Sequence, residues 1–598
     1  MFALSDDDLN DEQRAAITAD GNVFLVACPG SGKTRTLTYK IAYELSRLKS
    51  EKQFVVAITY THRAADEIHE RIEKLGVDTK QLWIGTIHSF CLEWILKPYF
   101  IYEPELQNGF RVIDPHEKEA ILTELCELHK NLRLSHYDCE YYFTKDGYIM
   151  SCRDARKQSA AESVLQAYFN RLYQNRQIDF ELILYYAWRL IAADPSISVV
   201  LSKLFAFVLV DEYQDTKDIQ YSVIASILKA GQGNTGIFIV GDPNQAIFQS
   251  LGGFAMSAAG FAKISGVALR EVALPKNYRS SKRIVEYFSN YRVYPTTIIS
   301  AAKDKDYPSL VSYNTQVTRD GLEDELVRLI QYNIDVLGID PNEICIVAPW
   351  WAHLASLTRR LVARLPDYSF DGPGMVPFGR SVDNFWYKLA KIVLTEPSPS
   401  MYVTRLRWTG DVLSAMAEAG INTAALTRKS FLKACNSITL PETDGLEYLL
   451  CFFETLFANL QIDVMSFPVL KEHHDAFFND SQARLQRLQR EGAESISDIE
   501  TFRKVFSPRT GITISTIHGV KGAEYDTVIG YALLDGIVPD FRDNDQHDSA
   551  MKILYVIGSR ARKNLHLISE RDRLNGLRNE YVATPQLAAC VFTYDVLP

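Results

Sequence analysis

The segment Ala27-Cys-Pro-Gly-Ser-Gly-Lys-Thr34 holds the residue types that grip a phosphate chain. Glycines let backbone N–H groups close around phosphate oxygens at a helix N-terminus. Pro29, Gly30, Ser31 and Gly32 form the wall of such a loop, with Ala27 where a first glycine is usual. Lys33 then reaches the β- and γ-phosphates, and Thr34 offers its hydroxyl to Mg²⁺. A second reactive pair, Asp211-Glu212, follows the apolar run Phe205-Ala-Phe-Val-Leu-Val210. Asp211 is placed to hold Mg²⁺ through water. Glu212 is placed to orient and deprotonate a water that attacks the γ-phosphate in line. The expected cofactors are ATP and Mg²⁺.

These groups need elements to hold them. Asn22-Val-Phe-Leu-Val-Ala27 reads as a strand running into the loop, and Arg35–Ala42 as the helix leaving it. Phe54–Ile58, Phe205–Val210 and Ile237–Val240 read as further buried strands, and Ala64–Ile72 as a helix. Apolar runs alternating with helices predict a parallel α/β sheet, with ligands at the carboxyl ends of its strands. Lys33 and Asp211 lie far apart for one compact sheet, and residues 92–194 between them read as helical and aromatic. They predict a helical insertion. A second α/β pattern follows, with strands at Glu343–Ala348, Ile512–Ser515 and Thr527–Ile529 and a helix at Ala352–Leu365. The turn-rich Thr395–Ser400 breaks helix, and the residues after it read as a second helical insertion.

Composition narrows the class. The chain has 598 residues, enough for about four domains. It is 47% hydrophobic and 23% charged, an ordinary soluble globular balance. No apolar run reaches the ~20 residues that a spanning helix needs, so no membrane role is expected. The start has no basic stretch before a long apolar core, so a secretory signal is not expected. The nine cysteines include no C-x-x-C pair, which argues against a zinc ribbon and for free thiols in the cytoplasm. The net charge is −10, so any nucleic-acid grip must come from a locally basic, salt-sensitive groove.

An ordered series of further motifs accompanies the loop and the acidic pair. It comprises Leu9-Asn-Asp-Glu-Gln13, Ile58-Thr-Tyr-Thr-His-Arg-Ala-Ala65, Gly85-Thr-Ile-His-Ser-Phe90 and Asp211-Glu-Tyr-Gln-Asp-Thr216. Val240-Gly-Asp-Pro-Asn-Gln-Ala-Ile-Phe248, Asn277-Tyr-Arg-Ser280, Thr516–Tyr525 and Tyr555–Ala561 complete it. The series resembles the UvrD/Rep/PcrA-type superfamily 1 DNA helicases over nearly the whole length.

That resemblance implies two RecA-like P-loop motor domains, each interrupted by a mainly helical insertion. Residues 1–91 and 195–275 would form the first motor domain and 92–194 its insertion. Residues 276–397 and 507–598 would form the second, with 398–506 inserted. It also implies roles. Gln13 would read the adenine, Tyr278 would stack on it, Arg35 would lie near the nucleotide, and Glu524 would bond the ribose. Gln245 would contact the γ-phosphate, while Arg279 and Arg560 would serve as arginine fingers. Tyr60 and Phe248 would stack on single-strand bases. Thr86, His88, Thr516 and His518 would hold the phosphate backbone.

The family implies 3′→5′ movement on single-stranded DNA, with single-strand/duplex junctions as partners. After Phe248 the family usually carries an aromatic residue and an arginine, whereas here Ser250 and Leu251 follow Gln249. Ser250 cannot stack and Leu251 cannot pair with phosphate. This favours an alternative in which the chain is a DNA-activated ATPase, a sensor or regulatory subunit of a nuclease complex without productive unwinding. No carboxylate–lysine nuclease cluster follows the last motif, so any cutting would need a separate nuclease subunit. Compact helicases of this type also partner OLD-family nucleases in anti-phage systems such as Gabija. DNA repair and antiviral defence therefore both stay open. The stretch Arg484-Leu-Gln-Arg-Leu-Gln-Arg490 reads as a solvated helix face.

Overall fold

Strands that are apolar at every position are stable only when both faces are covered, and helices supply that cover here. The computed structural model describes residues 9–597 except 250–251, 351–353, 373–376, 379–383, 400, 491–493, 507–509, 542, 544 and 576–577. Ser250, Leu251 and Ala352 lie outside the described residues. The chain divides into two compact units. One comprises Met1–Leu310, Leu534–Lys563 and Ala583–Tyr594, the other Val311–Leu533, Asn564–Val582 and Asp595–Pro598.

The first unit is built on a sheet of six strands among the described residues. They are β1 (Val23–Ala27), β2 (Phe54–Thr59), β3 (Leu82–Thr86), β4 (Phe205–Val210), β5 (Gly236–Gly241) and β6 (Arg270–Leu274). Their order is β6-β1-β5-β4-β2-β3, and every described pairing is parallel. Alternate side chains of each strand enter opposite cores. Leu25, Val55, Ala57, Leu209 and Val240 pack with Leu37, Ile41 and Ile68 on one face. Phe24, Val56, Val208 and Ile239 join Ile219, Val223 and Leu190 on the other.

Helix α1 (Asp11–Thr18) precedes β1, and α2 (Lys33–Ser46) follows it. Between β3 and β4 run the helices Pro115–Cys126, Ala155–Gln174, Phe180–Ala193 and Pro195–Leu204. This stretch also carries an antiparallel hairpin, Tyr141–Thr144 with Gly147–Met150, which the sequence reading had not separated from the helices. Helix α3 (Gln546–Ser559) returns to the first unit late in the chain.

The second unit carries another six-stranded sheet among the described residues. Its strands are β7 (Val311–Asn314), β8 (Ile344–Ala348), β9 (Phe370–Asp371), β10 (Ile512–Thr516), β11 (Tyr525–Gly530) and β12 (Ala561–Ile568). The order is β7-β12-β11-β8-β10-β9, again parallel in every described pairing. A helical bundle lies between β9 and β10 with its own core of Trp386, Phe431, Phe453, Leu456 and Phe502. The helix Phe385–Leu394 belongs to that core, although the sequence reading began the bundle further on.

Candidate nucleotide-hydrolysis site

The loop that leaves β1 is shaped by backbone geometry. Gly30 has φ +65°, and a Cβ there would lie 2.5 Å from the Arg279 Cβ, so only glycine fits. Gly32 (φ 81°) is the N-cap of α2, which places Lys33 and Thr34 in the first helical turn. Three carbonyls of the loop are held from outside. Asn277 Nδ2 donates to Pro29 O at 2.8 Å, the Tyr278 N–H to Gly30 O at 2.9 Å, and Gln13 Nε2 to Ser31 O at 2.9 Å. With these carbonyls occupied and Gly32 at the N-cap, the start of α2 offers the N–H groups of its first turn to an anion.

Gln13 sits in a capping box with Asn10 at the start of α1. Its Oε1 accepts from the Asn10 N–H at 3.0 Å, so its amide ties α1 to the loop. Asn10 Nδ2 in turn donates to the Tyr278 hydroxyl at 2.7 Å. Tyr278 is exposed and stands beside the Gln13 helix. The two residues assigned to the base are thus brought together through Asn10, a contact absent from the sequence reading. Arg35 is exposed on the first turn of α2.

Asp211 and Asp242 directly follow the neighbouring strands β4 and β5 and are both buried. Burial pushes the Asp211 carboxyl well above its ordinary range, the adjacent Glu212 charge adds to the shift, and Lys33 opposes it. Burial raises Asp242 too, again opposed by Lys33 and by a hydrogen bond from Gln245. Burial also lifts the Cys28 thiol to about 12, so it stays protonated. Two buried carboxyls facing one lysine leave a deficit of positive charge. With the Thr34 hydroxyl they form an oxygen-only set, which fits a hard divalent cation that fills its remaining positions with phosphate and water. Among the described residues no cluster of three or more His, Cys, Asp or Glu side chains could hold a metal by itself.

Glu212 has the left-handed backbone φ 51°, ψ 47°, which few residues with a side chain adopt. From Asp242 a buried polar chain runs to Arg560. Gln245 Nε2 donates to Asp242 Oδ2 at 2.8 Å, and Arg560 Nη2 donates to Gln245 Oε1 at 2.6 Å. The Tyr555 hydroxyl reaches Asp242 Oδ2 at 3.3 Å. Arg560 is 1% exposed at the C-cap of α3, where it also donates to Val556 O. Arg279 Nη1 donates to Ser559 O at 2.8 Å. Both arginines therefore meet at the negative end of one helix dipole. Asn277, Asp242 and Tyr555 complete this arrangement, although the sequence reading gave them no role. Their only local signal was membership in the motifs.

A second cluster lies where β2 and β3 end. Tyr60 is 41% exposed, and its ring centroid lies 5.1 Å from that of Phe248 at 34°. Thr59 pairs with Thr86 across the sheet. Thr86 is buried, and its hydroxyl caps the next helix by accepting from the Ser89 N–H. The His88 ring packs edge-to-face on Phe180. Burial first, then the nearby Lys217 and His62 charges, lower it to about 3, so it is neutral. Its buried Nε2 has no hydrogen-bond partner among the described residues. Thr516 ends β10 in the second unit, and His518 and Glu524 lie on the loop between β10 and β11. Thr516 Oγ1 accepts from the Gly519 N–H at 3.0 Å, and His518 and Glu524 are exposed.

Comparison with known proteins agrees with this geometry. Residues 9–255 match the UvrD/REP helicase N-terminal domain, and residues 470–572 the UvrD-like helicase C-terminal domain. The ATP-dependent DNA helicase PcrA of Staphylococcus aureus is 27% identical over 289 residues, covering 46% of this chain and 39% of that protein. A probable DNA helicase II homolog of Mycoplasma capricolum is 30% identical over 301 residues, 47% of this chain and 40% of its own. PcrA of Bacillus subtilis is 28% identical over 285 residues, 46% and 38% respectively. The chain spans about two fifths of the length of these curated relatives. With a glycine-rich loop, strand-end acids and a glutamine–arginine link in one unit, the chain belongs to the UvrD/Rep/PcrA-type superfamily 1 helicases.

Proposed function

We propose that the protein is an ATP-dependent DNA helicase or translocase that moves 3′→5′ along single-stranded DNA in the cytoplasm. The observation that carries this reading is the buried pair Asp211 and Asp242 facing Lys33, with Asp242 linked through Gln245 to Arg560. Backbone N–H groups of Gly30, Gly32, Lys33 and Thr34 and the Lys33 ammonium bind the phosphates. Glu212 orients the attacking water and takes its proton, and Gln245 contacts the γ-phosphate and couples it to movement. Arg279 and Arg560 stabilise the charge on the equatorial oxygens as the bond to the leaving phosphate breaks. Thr34 and Asp211 would hold Mg²⁺, which neutralises phosphate charge when bound. Tyr278 packs on the adenine, Gln13 reads it while also holding the Ser31 carbonyl, and Glu524 meets the ribose. The domain limits given above serve as our working division of the two motors.

Tyr60 and Phe248 supply stacking faces for bases, which tolerate any sequence. Thr86, His88, Thr516 and His518 hold the phosphate backbone through their side chains. A second reading, a DNA-activated ATPase subunit of a nuclease complex, is favoured by Ser250 and Leu251 in the sequence. The setting is DNA repair or anti-phage defence.

ATP hydrolysis by the purified chain, with single-stranded DNA, with RNA and with neither, tests the core of this reading. DNA should stimulate turnover more than RNA does. Glu212→Gln should lower turnover by about 10²–10⁴-fold while nucleotide still binds. Stimulation without strand displacement supports the second reading, and no hydrolysis in any condition overturns both.

A further inference from the structure

Glu212 sits in a left-handed turn at the end of β4, and its carboxylate has a side-chain partner two residues on. Gln214 is 1% exposed, and its Nε2 donates to Glu212 Oε2. Its Oε1 accepts from the Asp242 N–H at 3.0 Å. One amide therefore joins the acid after β4 to the backbone after β5. The same Asp242 carries the link to Gln245 and Arg560.

The surroundings are cut to fit that amide. A Cβ on Gly241 would lie 2.2 Å from Gln214 Oε1 and 2.6 Å from Tyr213 Cδ1, so β5 must end in glycine for the amide to seat. The Asp215 N–H donates to Glu212 O at 3.0 Å and the Thr216 N–H to Tyr213 O at 3.0 Å, which closes the turn around it.

We propose that Gln214 is a positioning residue for ATP hydrolysis: it aims the Glu212 carboxylate and couples it to the Asp242–Gln245–Arg560 chain. The proposal rests on the reading that Glu212 is the general base. A glutamine suits the task because it donates and accepts at once and cannot compete for the proton. Glutamate at this position keeps the size and the acceptor but turns an oxygen toward Glu212. Methionine keeps the length and loses both bonds.

The test is steady-state and single-turnover ATP hydrolysis, with affinity for a fluorescent ADP analogue and thermal melting measured alongside. Gln214→Glu and Gln214→Met should each lower kcat by about 10–100-fold, the size seen when a supporting partner is removed. KM for ATP and ADP-analogue affinity should stay within about twofold. In a Glu212→Gln background, either change should lower the residual rate by less than about twofold, because the group it aims is already gone. An equal further loss in that background, or no loss in wild type, overturns the positioning role. So does a loss shared with nucleotide affinity in every variant that melts like wild type. If both variants unfold, Gly241→Ala replaces them: it crowds the same amide and must reproduce the kcat-specific loss. Full activity of Glu212→Gln would instead overturn the general-base reading, and the proposal with it.

Discussion

In the first sheet, buried polar groups crowd the carboxyl ends of β1, β4 and β5. In the second they sit inside the unit, among β7, β11, β12 and the π-helical segment Tyr332–Val336. There Asn333 Nδ2 donates to His566 Nε2 at 3.0 Å and to Leu329 O at 2.9 Å. Because an amide nitrogen can only donate, His566 carries its proton on Nδ1 and gives it to Ser312 Oγ at 2.8 Å. Thr527 Oγ1 donates to Asn333 Oδ1 at 2.7 Å, and Asn564 Nδ2 does so at 3.3 Å. This second network is closed on itself. The first holds two carboxyls whose ionisation burial disfavours, beside a lysine at the N-terminus of α2. A closed network serves the fold. One with an uncompensated charge pattern serves a ligand.

The contrast can be broken experimentally, and the largest effect lies in the first network. Arg560→Ala should lower ATP turnover by about 10³-fold, with nucleotide affinity little changed, because the arginine acts on transition-state charge. Retained turnover, with a lower melting temperature, would make Arg560 a structural cap for α3. Tyr60→Ala should weaken single-stranded DNA binding by about 1–3 kcal/mol while DNA-independent hydrolysis persists. Tyr60→Phe should restore binding, since the ring supplies the stacking face.

The second network should behave in the opposite way. His566→Leu strands the Ser312 hydroxyl and the Asn333 amide, and should cost about 3 kcal/mol of stability without altering the nucleotide affinity of the folded chain. Urea unfolding reads that value. The same residue should also give acid sensitivity. Burial lowers His566 to about 3 in the folded chain, against an ordinary value of 6.5. The folded state then binds fewer protons than the unfolded one between those values. Its contribution is complete above pH 6.5 and falls away by up to about 1.4 kcal/mol per pH unit as pH drops toward 3. His566→Asn cannot take that proton, so its stability should fall less steeply over the same range. The smallest effect is Ser312→Ala, which removes one hydrogen bond from the closed network and should cost about 1 kcal/mol.

Much of this was legible in the sequence. Phe205–Val210 is a strand with the same limits in the reading and in the structure, because a run of six apolar residues has few other stable fates. Lys33 and Thr34 were placed by the strand, glycines and helix around them. The hairpin Tyr141–Met150 was not separated, because Tyr141, Tyr142 and Phe143 read as part of an aromatic helical stretch. Gln214 was quoted inside its motif without a role, since its two partners, Glu212 and the Asp242 N–H, meet only when β4 and β5 align. Asn333 and His566 have no local signal at all. Each looks like an ordinary polar residue until the fold joins them.

The sequence by itself determined the local pieces: which runs become strands, where the chain must turn on glycine, and which side chains could bind phosphate. Those choices follow from short-range sterics and from apolar patterning, which a few neighbouring residues settle. The tertiary structure alone decided that Arg560 reaches Gln245, that Asn277 holds the Pro29 carbonyl, and that His566 is neutral. Those outcomes depend on which distant segments share a buried volume, and in a buried volume each polar group needs a partner close enough to replace water.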